Sequence, residues 1–158
     1  MPKKLEASSN AVPRAWVRFL RAHAAITSQM DASLREAHGL SLREYEVLLA
    51  LADDPDRRLR RVDLAAKVLL TQSGVTRLLD PLEKRGLVKS VRSTDDRRVT
   101  YATLTTAGDR LFTKAARTHG HDIETLFTTH YTRADLARLD ALLERLPGAA
   151  GEANWAAP

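Results

Sequence analysis

Between Thr71 and Thr105 the spacing of apolar residues changes once, and that change restricts the fold more than any other feature of the chain. Up to Lys84 the apolar residues Val75, Leu78, Leu79 and Leu82 fall at i, i+3, i+4 and i+7, the repeat of a helix with one buried face. Beyond Gly86 the repeat becomes two. "LVKSVRS" and "RVTYATLT" alternate and are rich in Val, Thr and Tyr, which predicts two antiparallel strands joined through "STDDRR".

Helical spacing governs the sequence on either side. Val12, Trp16, Phe19, Leu20, His23, Ile26, Met30 and Leu34 predict a long amphipathic helix from Val12 to about Ala37, ended by Gly39. A second helix follows with Ser41 as N-cap and stops at "DDP". After the basic "DRRLRR", the run "VDLAAKVLL" predicts a short third helix burying Leu64, Ala65 and Val68. The fourth opens at Thr71 as N-cap and closes at Gly86, a residue free to turn left-handed. From about Thr105 the stripe Leu111, Ala115, His119, Ile123, Leu126 and His130 predicts another long helix, and "RADLARLDALLERL" a last one. The expected class is α+β, mostly α. At 158 residues and 44% hydrophobic content, one domain is expected.

Charge locates the function. Residues 56–98 carry twelve basic and six acidic side chains, whereas residues 1–55 carry seven of each and residues 99–158 six basic and seven acidic. The net charge of +5 therefore arises in the middle segment, and a focused basic field seeks a polyanion: nucleic acid first, an anionic membrane surface second. Cysteine is absent from the chain, so disulfides, cysteine zinc sites and thiol redox sensing are excluded, compatibly with an expected cytoplasmic location. "MPKKLEASSN" lacks an apolar run behind its lysines and reads as a loose tail; no stretch approaches a membrane span, and no membrane partner is expected.

Only "LLT" separates the third and fourth helices, which predicts a helix-turn-helix. Opposite its apolar stripe the fourth helix presents Gln72, Ser73, Thr76, Arg77, Asp80 and Lys84. Arginine pairs with guanine edges, glutamine with adenine, and hydroxyls with phosphate or base. Gly74 offers a place for close approach of backbone and phosphate. The strand pair that follows makes this a winged helix, with Arg97 and Arg98 carried on the wing tip toward a minor groove whose narrowness concentrates negative potential. Asp95 and Asp96 are expected to brace the turn or hold an arginine by a salt bridge.

With "LAAKVLLTQSGVTRLLDPLEKRGLV" and "DDRRVTYATLTTAG" in this order, the chain resembles the MarR family of winged-helix transcriptional regulators over about residues 12–147. The resemblance implies a homodimer built from the N- and C-terminal helices that binds a pseudo-palindromic operator, usually as a repressor released by a small ligand. It places Thr71, Gln72, Ser73, Thr76 and Arg77 among the recognition-helix readers and Asp96, Arg97 and Arg98 at the wing tip. Pro81 departs from the family's usual helix former and is expected to kink the recognition helix, which bears more on Lys84 than on Gln72 to Arg77. The dimer also follows from the residues: the stripes on the first and last two helices exceed what one small core can cover. The expected layout is dimerisation helices at 1–38 and 106–147, a DNA-binding lobe at 41–105, and flexible tails at 1–11 and 148–158.

Other chemistry is weaker. In "HGHD", His119 and His121 point away from each other on a helix, so no metal site is expected, although His119 with His23 or His130 would be the zinc alternative. Trp16, His23 and Tyr45, with Phe19, are candidates for a pocket that takes an aromatic or anionic effector, against ordinary core packing. Neither a Gly-rich phosphate loop after a strand nor a spaced Ser–His–Asp set is present, and Glu44 and Glu46 sit on different helix faces; neither an enzyme nor a cofactor is expected. The alternative readings are a winged-helix protein–protein interaction module and a ligand-binding dimer without DNA binding.

Overall fold

The computed structural model describes residues 11–94, 96 and 98–146. Six helices and three strands follow in the order α1 (Ala11–His38), α2 (Leu42–Ala52), β1 (Arg58–Arg60), α3 (Arg61–Lys67), α4 (Gln72–Lys84), β2 (Val88–Arg92), β3 (Thr100–Leu104), α5 (Thr106–His130) and α6 (Arg133–Leu143).

Four of the helices, α2, α4, α5 and α6, start where a side-chain oxygen replaces a missing turn, whereas α3 starts after Arg60 with no side-chain cap. Ser41 accepts from the Glu44 N–H while Glu44 accepts from the Ser41 N–H, a reciprocal box that starts α2. Thr105 starts α5 by accepting from the Gly108 N–H, and Thr132 pairs with Asp135 at the head of α6. The stops are equally local. Gly39 and Gly86 take left-handed φ values of 63° and 68°, ending α1 and α4 as expected. Leu69 does the same after α3 at φ 54°, with the Leu70 N–H bonded to the Ala65 carbonyl and the Leu69 N–H to that of Ala66. A branched side chain thus stands where glycine is the usual choice.

The core joins helices and sheet. Val75, Leu79 and Leu82 of α4 are fully buried with Leu48 and Leu51 of α2, Leu64 of α3, Ala102 of β3 and Leu34 at the end of α1. Tyr45 stacks on Phe112, tying α2 to α5. Ser33 Oγ donates to Asp122 at 2.5 Å, and His38 Nε2 meets Thr118 Oγ1 at 2.7 Å, so the C-terminal half of α1 is pinned along α5.

The sheet has one strand more than the alternation predicts. β1 pairs antiparallel with β3, Leu59 opposite Ala102, giving the order β1-β3-β2. "RLR" was hidden inside a basic run: three residues are too short for a period to stand out, and only Leu59 turns inward. On the other edge Val88 to Arg92 pair with Leu104 to Thr100, and this is the expected wing.

The arms are open. From Ala11 to Ala25 every residue of α1 is exposed, Val12 at 74% and Trp16 at 59%, while Met30 and Leu34 further along are buried. α6 buries no residue. Between α5 and α6 runs an open groove of about 1020 Å³ lined by His119, Ile123, Phe127, Leu136, Leu139 and Leu143, among others.

Candidate nucleic-acid interface

α4 enters the site through its cap. Thr71 Oγ1 accepts from the Gly74 N–H at 3.1 Å and lies 3.1 Å from Ser73 Oγ, so the first turn of the recognition helix is set by the residue before it. This assigns the helix-turn-helix residues two different jobs. Gln72, Ser73 and Arg77 are exposed, and Arg77 has no ion-pair partner among the described residues; these three are available to a ligand. Thr76 is half-buried and its hydroxyl donates back to the Gln72 carbonyl at 3.0 Å. The Gly74 N–H is already taken by Thr71, so what Gly74 offers a phosphate is room and not a donor. A Cβ there would lie 3.3 Å from Thr71 Oγ1, so its small size serves the cap as well.

α4 continues through Pro81 to Lys84. Pro81 has no N–H for the Arg77 carbonyl, but Arg77 is exposed, and water can take the place of the missing donor. The readers Gln72 to Arg77 lie before the proline, so it does not bear on their placement.

The wing tip is braced as the charge pattern predicts. Asp96 accepts from the Arg98 N–H at 2.9 Å and from Arg98 Nε at 3.3 Å, and the Val99 N–H bonds to the Asp96 carbonyl. The backbone N–H, then the guanidinium, hold the Asp96 carboxyl below its ordinary range. The Arg98 side chain remains 91% exposed, with its charge facing solvent. Arg97 and Asp95 lie outside the described residues.

Between helix and wing stands a basic crossing that the sequence reading did not single out. Arg61, at the start of α3, donates to Ser90 Oγ on β2 at 2.9 Å and lies 3.6 Å from Glu83 on α4, while Ser90 donates to Glu83 at 2.6 Å. Arg60 is clamped by Asp63 through two hydrogen bonds, which raise its pKa, and Arg58 lies over the Tyr101 ring at 4.9 Å. The only sequence signal for this set was the density of arginine in "DRRLRR", which gave no hint of which ones point where.

The effector candidates are not drawn together. Trp16 and His23 are exposed on the outer half of α1, Trp16 stacked on Phe19. Tyr45 is 1% exposed and lies between the rings of Phe112 and His119, and burial pushes its hydroxyl up to about 12. None of the three lines the α5–α6 groove. Tyr45 therefore packs as core, the reading weighed against a pocket. His119 is half-buried, which lowers its pKa against the opposing pull of Asp122 and Glu46, whereas His121 is exposed. Among the described residues no group of three metal-ligating side chains is assembled.

A family model described as MarR family matches residues 38–99, from the end of α1 to the residue before β3. The regulator MhqR of Bacillus subtilis is 31% identical over 108 residues, 68% of this chain and 72% of that protein. The chain belongs to the MarR family. The repressor YetL, also of Bacillus subtilis, is 37% identical over 70 residues, covering 44% of this chain and 42% of its own length. A MarR family regulator from Streptomyces coelicolor, solved in complex with DNA, superposes with a TM-score of 0.77 at 25% identity, covering 84% of this chain and 82% of that one. In this MarR family chain the matched segment contains the helix-turn-helix, its cap and β2 with the turn beyond it. No helix among the described residues is long and apolar enough to cross a membrane.

Proposed function

We propose that this MarR family protein is a transcriptional regulator that binds duplex DNA as a homodimer, acting as a repressor that a small aromatic or anionic effector releases. One observation carries the reading: the exposed face of Gln72, Ser73 and Arg77 and the solvent-facing Arg98 belong to a single lobe, locked together by Arg61, Ser90 and Glu83. In this reading α4 lies in a major groove while the wing follows the backbone to the adjacent minor groove. Residues 41–105 are the DNA-binding lobe.

The helices α1, α5 and α6, within the segments 1–38 and 106–147, are the dimerisation arms. An α6 that buries nothing and an α1 that exposes Val12, Trp16, Phe19 and Leu20 do not hold their place in water by themselves, and a second subunit covers them. Trp16 and His23 remain open to an effector at that seam, but Tyr45 does not, because its side chain is enclosed. By linkage, an effector that weakens DNA binding is itself bound more weakly, by the same factor, when DNA is present.

Titration of labelled duplexes at several salt concentrations tests the assignment. Arg98→Ala should weaken binding to all sequences alike and reduce the salt slope by about one, the signature of a lost phosphate-side contact. Arg77→Ala should also relax base preference, by about 1–3 kcal/mol at one position of each half-site. Wild-type affinity and preference in both variants would refute the reading.

A further inference from the structure

The first arm and the recognition helix end beside each other, and one side chain joins the two ends. A helix C-terminus leaves carbonyls without donors and carries the negative end of the helix dipole. At the end of α1 the Gly39 N–H turns back to the Arg35 carbonyl at 2.9 Å and the Leu40 N–H to the Leu34 carbonyl at 3.4 Å, which closes the backbone. The carbonyls of His38, the last helical residue, and of Gly39 beyond it are met from outside. Arg85 Nη1 donates to the Gly39 carbonyl at 2.8 Å and Nη2 to that of His38 at 3.5 Å.

Arg85 is itself anchored in a closed end. It is the C-cap of α4: its N–H bonds to the Pro81 carbonyl at 3.1 Å, and beyond the left-handed Gly86 the Leu87 N–H returns to Leu82 at 2.9 Å. The guanidinium thus joins two helix ends that are each closed by backbone hydrogen bonds. On the far side α1 is fastened to α5 by His38 to Thr118 and Ser33 to Asp122. Arg85 stands about 20 Å along the helix from Gln72, at 1.5 Å per residue, so it is badly placed to read a base that Gln72 reads.

Resting on the dimeric DNA-binding reading above, we infer that Arg85 is a positioning residue: it passes the geometry of the arms to the recognition helix and so narrows the half-site spacings that the dimer accepts. Apolar packing around Leu34 and Leu40 holds the lobe to the arms, but it is non-directional. Two hydrogen bonds to named carbonyls have direction, and they resist rotation of α4 about the end of α1. Because these bonds are solvent-exposed, they add little to stability; their effect is on orientation.

The test compares wild type with Arg85→Ala and Arg85→Lys on duplexes carrying twice the half-site that wild type enriches from random sequences, at the spacing wild type enriches and at one base pair more or less. Each such step moves one half-site by about 3.4 Å and turns it by about 35°. Wild type should discriminate sharply. Arg85→Ala should lose about fivefold or more of that discrimination, with an unchanged salt slope and a melting temperature within about 2 °C of wild type, and Arg85→Lys should fall between. An unaltered spacing profile overturns the inference, and so does a salt slope shallower by about one, which would make Arg85 a phosphate contact. Failure of wild type to bind any duplex is a separate result that overturns the DNA-binding reading itself, and this inference with it.

Discussion

Replacing Gly108 by alanine isolates the contact that seats the wing on α5. Gly108 is the third residue of α5, its N–H held by the Thr105 cap, and it is buried. A Cβ built there collides with the Leu87 carbonyl oxygen and lies 2.8 Å from Leu104 Cδ1. The Leu87 oxygen is not free to withdraw, since it accepts from the Thr105 N–H at 3.1 Å, while the Thr105 hydroxyl beside it donates chiefly to the Gly86 carbonyl at 2.7 Å. Helix propensity alone favours alanine by about 1 kcal/mol. Against it stand overpacking, about 1–3 kcal/mol, and weakening of the Thr105 N–H bond to Leu87, about 1 kcal/mol, as α5 is pushed off the foot of the wing. The steric side wins, and Gly108→Ala should destabilise by about 1–3 kcal/mol. Urea unfolding at fixed protein concentration measures this as a lower midpoint with an unchanged m-value. A variant that is neutral, or more stable by the propensity difference, would refute the packing argument.

Two other substitutions probe strain and charge. Leu69→Gly removes a left-handed leucine that costs about 1–2 kcal/mol, offset by about 0.5–1 kcal/mol of extra chain entropy, and it gives up no burial since Leu69 is 89% exposed; a rise in melting temperature is expected, and a fall would show that the side chain is held against something. His119 has a depressed folded-state pKa through burial, so as the pH falls below about 6.5 the unfolded chain takes the proton first and stability is lost down toward the folded value. His119→Phe should flatten melting temperature against pH between about pH 7 and pH 5, and an undiminished slope would place the titration elsewhere.

What could be read in advance was whatever has a local cause. Thr71, Ser41, Gly39 and Gly86 mark helix ends because a cap or a left-handed turn is decided within a few residues, and all four act where the pattern puts them. Val75, Leu79 and Leu82 were legible because amphipathic spacing names the buried face without naming its partner. β1 was not, because a strand of three residues takes its identity from pairing with Tyr101 to Thr103, more than forty residues away. The site divides in the same way. Gln72, Ser73 and Arg77 follow from helix phase, but the commitment of Thr76 to a backbone carbonyl, the clamp on Arg60 and the bridge from Arg61 to Ser90 and Glu83 are products of the tertiary fold. Tyr45 stayed open between two readings for a related reason: an aromatic with a polar tip suits a pocket wall as well as a core, and the neighbouring Phe112 and His119 decide for the core.

The most direct measurement is the enrichment of random duplexes by the purified protein at low salt. Two lobes, each pairing a capped helix with a braced cationic finger, should select a motif with two-fold symmetry whose half-sites lie about one turn apart, roughly 34–36 Å. Recovery of no motif, or of a lone half-site with no symmetric mate, would contradict the account.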